Sequence, residues 1–304
     1  MIYTKVKSKL KKRVINVSRS FGYDLVRIYP DDIPLYIKLY GEKCVDKRLL
    51  YNISAGGHFD FGCGIHHPCW TNIDLDRPWK DVRYNCRGIE YNRETDIAHD
   101  FLTYEPLPVC SDLAELVHSR NSIEHLPDNA VQIMFKEIFR ILKPGGIFRV
   151  GAPDIDLLYN VFSRNDRDFF GWFGHDVSIE QAFLTHFAAH ASTLHHDPEW
   201  ILEKISDEEL RRIFKEVEFE SALNYCISKF NINIYKKERM CLAALDTHIN
   251  WWNRSKLVSF LSDAGFKIIN ESAPQQSQSP VMRNPYYFDN YALYSMFFME
   301  AVKR

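Results

Sequence analysis

The chain has 304 residues, of which 46% are hydrophobic, and it carries 38 Lys or Arg against 40 Asp or Glu. This length suits one large domain with an insertion or two small domains, and the apolar fraction is ample for a buried core. Outside residues 1–23 acids outnumber bases, which argues against the basic groove that enzymes acting on nucleic acids use.

The first 23 residues contain seven Lys or Arg and no acid. Apolar residues recur in this segment at helical spacing, which predicts an amphipathic basic helix. Such a helix packs on the domain with its lysines in solvent, or it touches an anionic membrane surface or polymer. The narrow apolar face favours packing, with weak peripheral membrane contact as the alternative.

No apolar run reaches the roughly 18 residues that a membrane span requires, and the start of the sequence lacks a signal-peptide core. The seven cysteines are scattered, without any C-x-x-C spacing. Such a set argues against a disulfide scaffold or a zinc ribbon and is typical of a reducing compartment. We therefore expect a soluble, cytoplasmic protein.

Strands and helices alternate along much of the chain. Residues 42–52 are predicted to be helical and to precede a first strand, and the strands are predicted at Phe59–Phe61, Thr71–Leu75, Thr95–Ala98, Leu113–His118, Ile147–Ala152, Phe266–Asn270 and Leu293–Val302. A helix capped by Asp128 is predicted to stop at Pro144-Gly145-Gly146, because proline cannot continue a helix and glycine accepts positive φ. This alternation predicts a mostly parallel sheet with its ligand at the carboxyl ends of the strands.

Residues 156–245 break the alternation. They are helical, aromatic and rich in histidine, and we predict that they form an inserted lid. The alternation resumes near Asn253, and Ala273–Pro285, rich in Gln, Ser and Pro, is predicted to be a long exposed loop. The predicted domains are a basic helix with a helical cap at 1–54, a ligand-binding domain at 55–155 and 246–304, and the helical insertion at 156–245.

Two motifs carry most of the functional information. The first is His58-Phe-Asp-Phe-Gly-Cys-Gly64, followed by Trp70-Thr-Asn-Ile-Asp-Leu75. Its glycines let the backbone approach a ligand closely, and a carboxylate at the next strand end can accept two hydrogen bonds from a ribose diol. The second motif runs from Glu124-His-Leu-Pro-Asp128 to Arg140-Ile-Leu-Lys-Pro-Gly-Gly-Ile-Phe-Arg-Val150. It predicts a loop, a helix, the end of that helix and then a strand.

In this order the two motifs resemble the class I S-adenosylmethionine-dependent methyltransferases. The residues of these motifs are most similar to those of members from bacterial surface-polysaccharide and sugar-modification clusters. The resemblance covers about residues 55–155 and, more weakly, 246–304, and it lacks the usual third glycine, which Ile65-His66-His67-Pro68 replaces. It implies an α/β, Rossmann-like, mostly parallel seven-stranded sheet with an antiparallel last strand, together with the helical insertion and the N-terminal helix.

The resemblance also implies a cofactor site for S-adenosylmethionine, residue by residue. Asp60, Gly62, Cys63 and Gly64 would surround the methionine part, and Asp74 would hold the ribose hydroxyls. Asp100 with Phe101 would meet the adenine, and Ser119 and Asn121 would lie beneath the methionine end. The alternatives are a simple tight turn for the glycines and a helix cap for Asp100.

Methyl transfer from a sulfonium is an in-line displacement, so the protein must mainly align donor and acceptor and exclude water. A hydroxyl acceptor also needs a base. His248 matches a histidine position of the polysaccharide-associated relatives and titrates in a suitable range, so it is the predicted base. Asp154 is the second candidate, as a base or as an orienter of histidine, and His125 is the third.

A metal site is the less favoured interpretation of the histidines in the insertion. His186 and His190 have the i, i+4 spacing of ligands on one helix face, and Asp197 follows them. No Glu follows His186 to complete H-E-x-x-H, and such spacing also arises by chance in a histidine-rich helix. We therefore predict no metal.

The predicted activity is S-adenosylmethionine-dependent methylation, in the EC 2.1.1 class, of a hydroxyl on a sugar or sugar-nucleotide in surface-polysaccharide biosynthesis. One alternative is an N- or carboxyl-methyltransferase of another small metabolite. Another is a degenerate fold that binds the cofactor or a partner without turnover. The expected partner is a small-molecule substrate and not a nucleic acid, and the oligomeric state stays open.

Overall fold

The structure is a computed structural model that describes residues 37–38, 40–54, 67, 69–75, 84–86, 89–91, 96–174, 176–194, 202–238, 247–285, 287–289 and 293–304. The expectations for residues 1–23, for the strand Phe59–Phe61, for Asp197 and for the turn residues Asp60, Gly62, Cys63 and Gly64 lie outside these residues.

The described part of the chain contains one sheet of seven strands. They are β1 (Leu50–Ile53), β2 (Thr71–Asp74), β5 (Ile97–Ala98), β6 (Ala114–Arg120), β7 (Leu142–Pro153), β8 (Ile268–Ser272) and β9 (Met296–Val302), while β3 (Tyr84–Cys86) and β4 (Ile89–Tyr91) form a separate antiparallel pair. The spatial order is β5-β2-β1-β6-β7-β9-β8, and β9 runs antiparallel to both of its neighbours. The predicted Rossmann-like, mostly parallel sheet with an antiparallel last strand is confirmed.

The helices of the described residues are α1 (Asp128–Ile141), α2 (Ile155–Ser163), α3 (Ile179–Thr185), α4 (Asp207–Glu216), α5 (Phe219–Ile227), α6 (Ile232–Glu238) and α7 (Arg254–Asp263). Helices α1 and α7 belong to the sheet domain, and α2–α6 lie within the predicted insertion. Among these described helices, none is long and apolar enough to cross a membrane.

One face of the sheet is apolar and packs against α1 and α7. Successive side chains of a strand point to opposite faces, so alternate residues of each strand contribute to this core. The buried residues there include Ile53, Ile73, Val117, Phe148 and Met299 from the strands, Met134, Phe135 and Ile138 from α1, and Leu257 and Leu261 from α7. One face of each helix therefore packs on the core.

The opposite face carries a row of polar side chains, one from each of six adjacent strands. In register order the row is Asn72, Asn52, His118, Arg149, Glu300 and Asn270. All but Asn270 are at most 4% exposed. Burial also holds the pKa of His118 well below its ordinary value, so the imidazole is neutral, and its Nδ1 lies 2.9 Å from Asn52 Oδ1.

Arg149 is the charged centre of this row and has no exposed side-chain surface. Its guanidinium donates to Asp289 Oδ2 at 2.6 Å and pairs with Glu300 Oε1 at 3.2 Å. It also donates to Ser272 Oγ at 2.6 Å and to the carbonyl of Ala273 at 3.1 Å. A buried ion is tolerated when its hydrogen-bonding capacity is filled in this way.

The same carboxylates fasten the segment between β8 and β9 over the polar face. Asp289 accepts from the amide of Gln275, and Glu300 accepts from the amide of Gln278. The segment Ala273–Pro285 was predicted to be an exposed loop, and this is wrong in part. It contains a 3-10 turn and buries Ser277, Ser279 and Met282. These residues are buried because the segment lies over the charged row and is bound to its carboxylates.

The prediction of a helix over residues 42–52 is wrong. A short 3-10 turn covers Glu42–Val45, and β1 begins at Leu50 and lies inside the sheet, between β2 and β6. All four residues of β1 are buried. A short apolar run of this kind does not distinguish a buried strand from a helix, which is why the pattern misled.

The predicted capping role of Asp128 is also wrong. Pro127 is the N-cap of α1, and Asp128 Oδ1 instead accepts from Asn250 Nδ2 at 2.9 Å and pairs with Lys256 Nζ at 2.8 Å. The helix ends before Pro144 as expected, and β7 starts at once. Gly145 has a φ of 80° there, a left-handed conformation that suits glycine.

We expect Arg149→Met to reduce the free energy of unfolding by about 3–5 kcal/mol, because two carboxylates would stay buried without their cation. Urea denaturation measures the loss. The control is Arg212→Met, which removes an exposed ion pair with Glu216 on α4 and should cost less than about 1 kcal/mol. Equal losses in the two variants would contradict a special contribution of the buried cluster.

Candidate functional site

A ligand site is expected along the edge of the sheet that is formed by the carboxyl ends of its parallel strands. From β1 the chain proceeds outward through β2 to β5 on one side, and β6 and β7 lie on the other side. In open α/β sheets ligands bind at the carboxyl ends of the strands where the strand order reverses in this way. Here that point lies between β1 and β6.

Asp74 is the last residue of β2, one strand away from the reversal. Its side chain is completely buried, and Oδ1 accepts from the amide of Leu75 at 2.8 Å. The position at a strand end is the one expected from the sequence. The role of its carboxylate toward a ribose stays a prediction.

Asp100 and Phe101 follow β5. Asp100 Oδ1 accepts from the amide of Leu102 at 2.9 Å and so caps the 3-10 turn Phe101–Thr103. Phe101 is 2% exposed within the apolar core, and its ring lies 4.7 Å from that of His99. The capping alternative for Asp100 is present in the structure, and the contact of both residues with adenine stays a prediction.

Ser119 and Asn121 lie at the end of β6, next to the reversal. Both are at most 4% exposed, and Asn121 takes a left-handed φ of 50°, which asparagine tolerates in tight turns. Among the described residues, neither Ser119 Oγ nor Asn121 Oδ1 has a hydrogen-bond partner. A buried polar atom without a partner is costly, so this pair is a candidate contact for a ligand.

A cluster of three side chains lies just beyond this turn. It consists of Glu124, His125 and His248, whose potential ligand atoms are all within 4.8 Å of one another. His248 Nε2 lies 3.9 Å from Glu124 Oε1, and the rings of His125 and His248 meet edge to face at 4.8 Å. Two of the three predicted catalytic residues, His248 and His125, are therefore brought together.

Glu124 is the member of this cluster to which the sequence analysis gave no role. It is completely buried, Oε1 accepts from Asn121 Nδ2 at 3.2 Å, and Oε2 has no partner among the described residues. Burial raises the pKa of this carboxyl to about 7, and hydrogen bonds together with Arg120 oppose that rise. Nothing in the sequence pattern singles out this acid, because the stretch after the strand mixes polar and apolar residues.

Hydrogen bonds to main-chain carbonyls orient both imidazoles. His125 Nδ1 lies 3.0 Å from the carbonyl of Thr247, and His248 Nδ1 lies 2.8 Å from the carbonyl of His186. A carbonyl can only accept, so Nδ1 carries the hydrogen in each ring and Nε2 carries the lone pair. Each Nε2 is thus the basic nitrogen, and that of His248 is directed toward Glu124.

Asp154 serves another purpose in the structure. It is the N-cap of α2, where Oδ1 accepts from the amide of Leu157 at 3.3 Å, and Oδ2 pairs with Arg254 at 2.7 Å. Both oxygens of Asp154 are thus engaged in these structural contacts. Glu124 replaces it as the second candidate.

His186 and His190, whose spacing offered the less favoured metal interpretation, do not share a helix face. Helix α3 ends at Thr185, His186 is its C-cap, and His190 lies in a separate 3-10 turn over Ala189–Ala191. Burial, with a smaller contribution from His248, lowers the pKa of His186 to about 3. The carbonyl of His186 orients His248, and the ring of His190 packs at 4.9 Å from that of Phe230.

Part of the chain is similar to known methyltransferases. A family described as "Methyltransferase domain" matches residues 80–150. A Mycolicibacterium smegmatis protein named "Probable S-adenosylmethionine-dependent methyltransferase" is 31% identical over 114 residues, which are 36% of this chain and 43% of that relative. The chain thus spans less than half the length of this relative. The matched family is described as a methyltransferase domain, and the matched relative is named as an S-adenosylmethionine-dependent enzyme.

Solved structures are similar only at a distance. An S-adenosylmethionine-dependent methyltransferase from Mesorhizobium loti is 14% identical with a TM-score of 0.35, over 89% of this chain and 96% of that one. Human N-acetylserotonin methyltransferase in complex with its cofactor is 11% identical with a TM-score of 0.35, over 86% and 49%. At TM-scores this low the likenesses carry no argument.

We expect Glu124→Gln to stabilise the protein at alkaline pH. A carboxyl with a pKa near 7 when folded and near 4.5 when unfolded costs nothing below the lower value. As the pH rises between the two values the unfolded state ionises first, so the native protein loses stability, by up to about 3 kcal/mol above the higher value.

The variant lacks this loss, so its advantage in unfolding free energy should grow between about pH 5 and about pH 8 in metal-free buffer. Urea denaturation at both pH values measures it. Glu208→Gln on the exposed surface of α4 is the control and should show no such gain. A pH-independent difference for Glu124→Gln would contradict the raised pKa.

Proposed function

We propose that this chain is an S-adenosylmethionine-dependent methyltransferase that methylates a hydroxyl group of a sugar or sugar-nucleotide. One observation carries the methyl-transfer part: the methyltransferase-domain match, residues 80–150, coincides with the ligand edge of the sheet. This segment contributes β5, β6 and most of β7, and the buried, unpartnered oxygens of Ser119 and Asn121 lie within it.

The residues at this edge fit the proposed cofactor. Asp74 supplies a buried carboxylate that can accept from ribose hydroxyls, and Asn121 Oδ1 and Ser119 Oγ can accept from the ammonium of the methionine part. When bound, S-adenosylmethionine supplies an activated methyl group on a sulfonium. The chain then has to hold the acceptor in line with that methyl group.

The cluster beside this edge suits a hydroxyl acceptor. A hydroxyl loses its proton as the new carbon–oxygen bond forms, so a base in contact with it speeds the reaction. His248 Nε2 is the proposed proton acceptor, and Glu124 lies 3.9 Å from it as a second group that can hold the proton. An acceptor that is already an anion would have no use for these two groups.

The sugar part of the proposal is supported by the motif residues that the chain shares with polysaccharide-associated methyltransferases. The insertion supports a closed site. Helices α2–α5 and Trp251 share an apolar core, and the amide of Ala189 donates to the carbonyl of His248 at 2.9 Å. We propose that the insertion excludes water from the methyl transfer, as lids do in displacement reactions.

Asp74→Asn should weaken the binding of S-adenosylmethionine by about 1.5–3 kcal/mol, the usual scale for hydrogen bonds to a charged group. The amide keeps the volume of the carboxylate but accepts at one atom only. Titration calorimetry measures the affinity. Asp263→Asn at the exposed end of α7 should bind like the wild type. An unchanged affinity in Asp74→Asn would remove this residue from the proposed site.

The activity itself is tested with labelled S-adenosylmethionine and a panel of nucleotide-sugars, with mass spectrometry of the products. We expect methyl transfer to a hydroxyl and a loss of about 10²–10⁴-fold in turnover for His248→Ala, with the affinity for S-adenosylmethionine retained. Transfer to an amine or a carboxylate would contradict the proposed acceptor. Cofactor binding without any transfer would favour a binding protein that has lost turnover.

A further inference from the structure

We propose that Glu124, His125 and His248 form a binding site for one divalent transition-metal ion. From the sequence we predict no metal, and that prediction concerned His186, His190 and Asp197. Among the described residues, this is the one place where three His, Cys, Asp or Glu side chains present ligand atoms within 4.8 Å of one another. The ion site stands on these contacts, and its part in methyl transfer rests on the proposed function.

The three donors form a recognisable set. Two imidazole nitrogens and one carboxylate oxygen suit zinc and the neighbouring divalent transition metals, whereas magnesium and calcium prefer oxygen ligands. Three protein ligands leave at least one coordination position open. Open positions are characteristic of ions that bind a substrate, whereas purely structural zinc ions usually have four protein ligands.

The groups behind these ligands favour ion binding. Metal-ligating histidines usually donate their other ring nitrogen to a carbonyl or a carboxylate, which fixes the tautomer and the direction of the ligand atom. His125 does so to the carbonyl of Thr247, and His248 does so to that of His186. In both rings Nε2 is therefore the nitrogen with the lone pair. A general base would need this for one ring, and two such rings facing one carboxylate indicate a shared ligand.

Glu124 supplies the second, independent observation. It is completely buried, and its Oε2 has no hydrogen-bond partner among the described residues. A buried carboxylate oxygen without a partner is costly unless a cation or a donor reaches it. A divalent ion held by the neighbouring imidazoles would supply that partner and offset the cost of burying the charge.

The geometry requires only a small contraction. An ion about 2.1 Å from each ligand would bring the ligand atoms to about 3–3.5 Å from one another. The observed separations reach 3.9 Å between His248 Nε2 and Glu124 Oε1 and 4.8 Å at most. The amide of Ile249 donates to the carbonyl of Glu124 at 2.8 Å, so the two backbone segments are already joined. Side-chain rotations that move the ligand atoms by about 1 Å would complete the site.

An ion here would change how the acceptor loses its proton. The hydroxyl oxygen would occupy the open position, its pKa would fall, and the proton would leave to water. That oxygen then forms the bond to the methyl carbon as the bond from carbon to sulfur breaks. His248 would act as a ligand of the ion, so it would not itself take the proton.

The test uses the full chain after chelator treatment and gel filtration, titrated with Zn²⁺ alone by calorimetry and with Co²⁺ alone by visible absorption. We expect one ion per chain and a Co²⁺ spectrum typical of mixed nitrogen and oxygen ligands. Glu124→Gln and His248→Ala should each weaken ion binding at least about 10-fold, the scale at which metal sites respond to altered coordination. Glu137→Gln, a carboxylate that pairs with Arg140 on α1, is the matched control and should bind as the wild type does.

Binding of the ion with unchanged affinity in both ligand variants would overturn the proposal, because it would place the ion elsewhere. So would the absence of binding by the wild type. Glu124→Gln keeps the shape of its side chain, and it decides the test if His248→Ala does not fold. Titration of the same samples with S-adenosylmethionine separates the two proposals: ion binding without cofactor binding contradicts the proposed function alone, and cofactor binding without ion binding contradicts the ion site alone.

Discussion

A short segment, residues 247–250, is held between the sheet domain and the insertion, and the candidate site depends on it. The amide of Ile249 donates to the carbonyl of Glu124, and the amide of Ala189 donates to the carbonyl of His248. The two imidazoles complete the connection by donating to the carbonyls of Thr247 and His186. Two of these bonds join main-chain atoms and two join an imidazole to a main-chain carbonyl, so the segment is tied to the turn after β6 on one side and to the insertion on the other.

This arrangement makes the site a product of three distant parts of the sequence. The turn after β6 brings Glu124 and His125, the segment before α7 brings His248, and the insertion supplies the carbonyl that orients it. A change in the packing of the insertion therefore alters the direction of His248 without touching the sheet.

Two groups of buried polar side chains differ in their partners. In the row across the sheet, Arg149 is matched by Asp289 and Glu300, and Asn52 Oδ1 lies 2.9 Å from His118 Nδ1. Their effect is to fix the position of the segment between β8 and β9. At the end of β6, by contrast, oxygens of Ser119, Asn121 and Glu124 have no partner within the described residues. A fold can bear the cost of such groups where a ligand supplies the missing contacts.

The sequence allowed the architecture to be predicted, because apolar periodicity and glycine turns report local backbone structure. The mostly parallel sheet, the course of α1 and the strand end at Asp74 follow from these local patterns, whereas the antiparallel last strand was implied by the family resemblance. Errors arose where a residue's partner is remote in sequence. Asp128, predicted to cap its own helix, instead meets Asn250 and Lys256. Local patterns carry no information on such contacts.

The site was only partly accessible to the same reasoning. His248 and His125 were identified, but the importance of Glu124 depends on its burial and on the fold that brings it to His248, neither of which a one-dimensional pattern shows. The sequence pattern did not predict β1 at Leu50–Ile53 for a related reason. A four-residue buried strand has too few residues to display a period.

A crystal structure of the full chain with S-adenosylhomocysteine tests the central claim most directly. The account predicts that the product binds at the carboxyl ends of β1, β2 and β6, with its ribose at Asp74. Its sulfur should lie beside Ser119 and Asn121, close enough for an acceptor oxygen to contact both the missing methyl position and the Glu124–His248 cluster at about 3–3.5 Å. A ligand bound at another edge of the sheet, or a cluster separated from the sulfur by packed side chains, would contradict it.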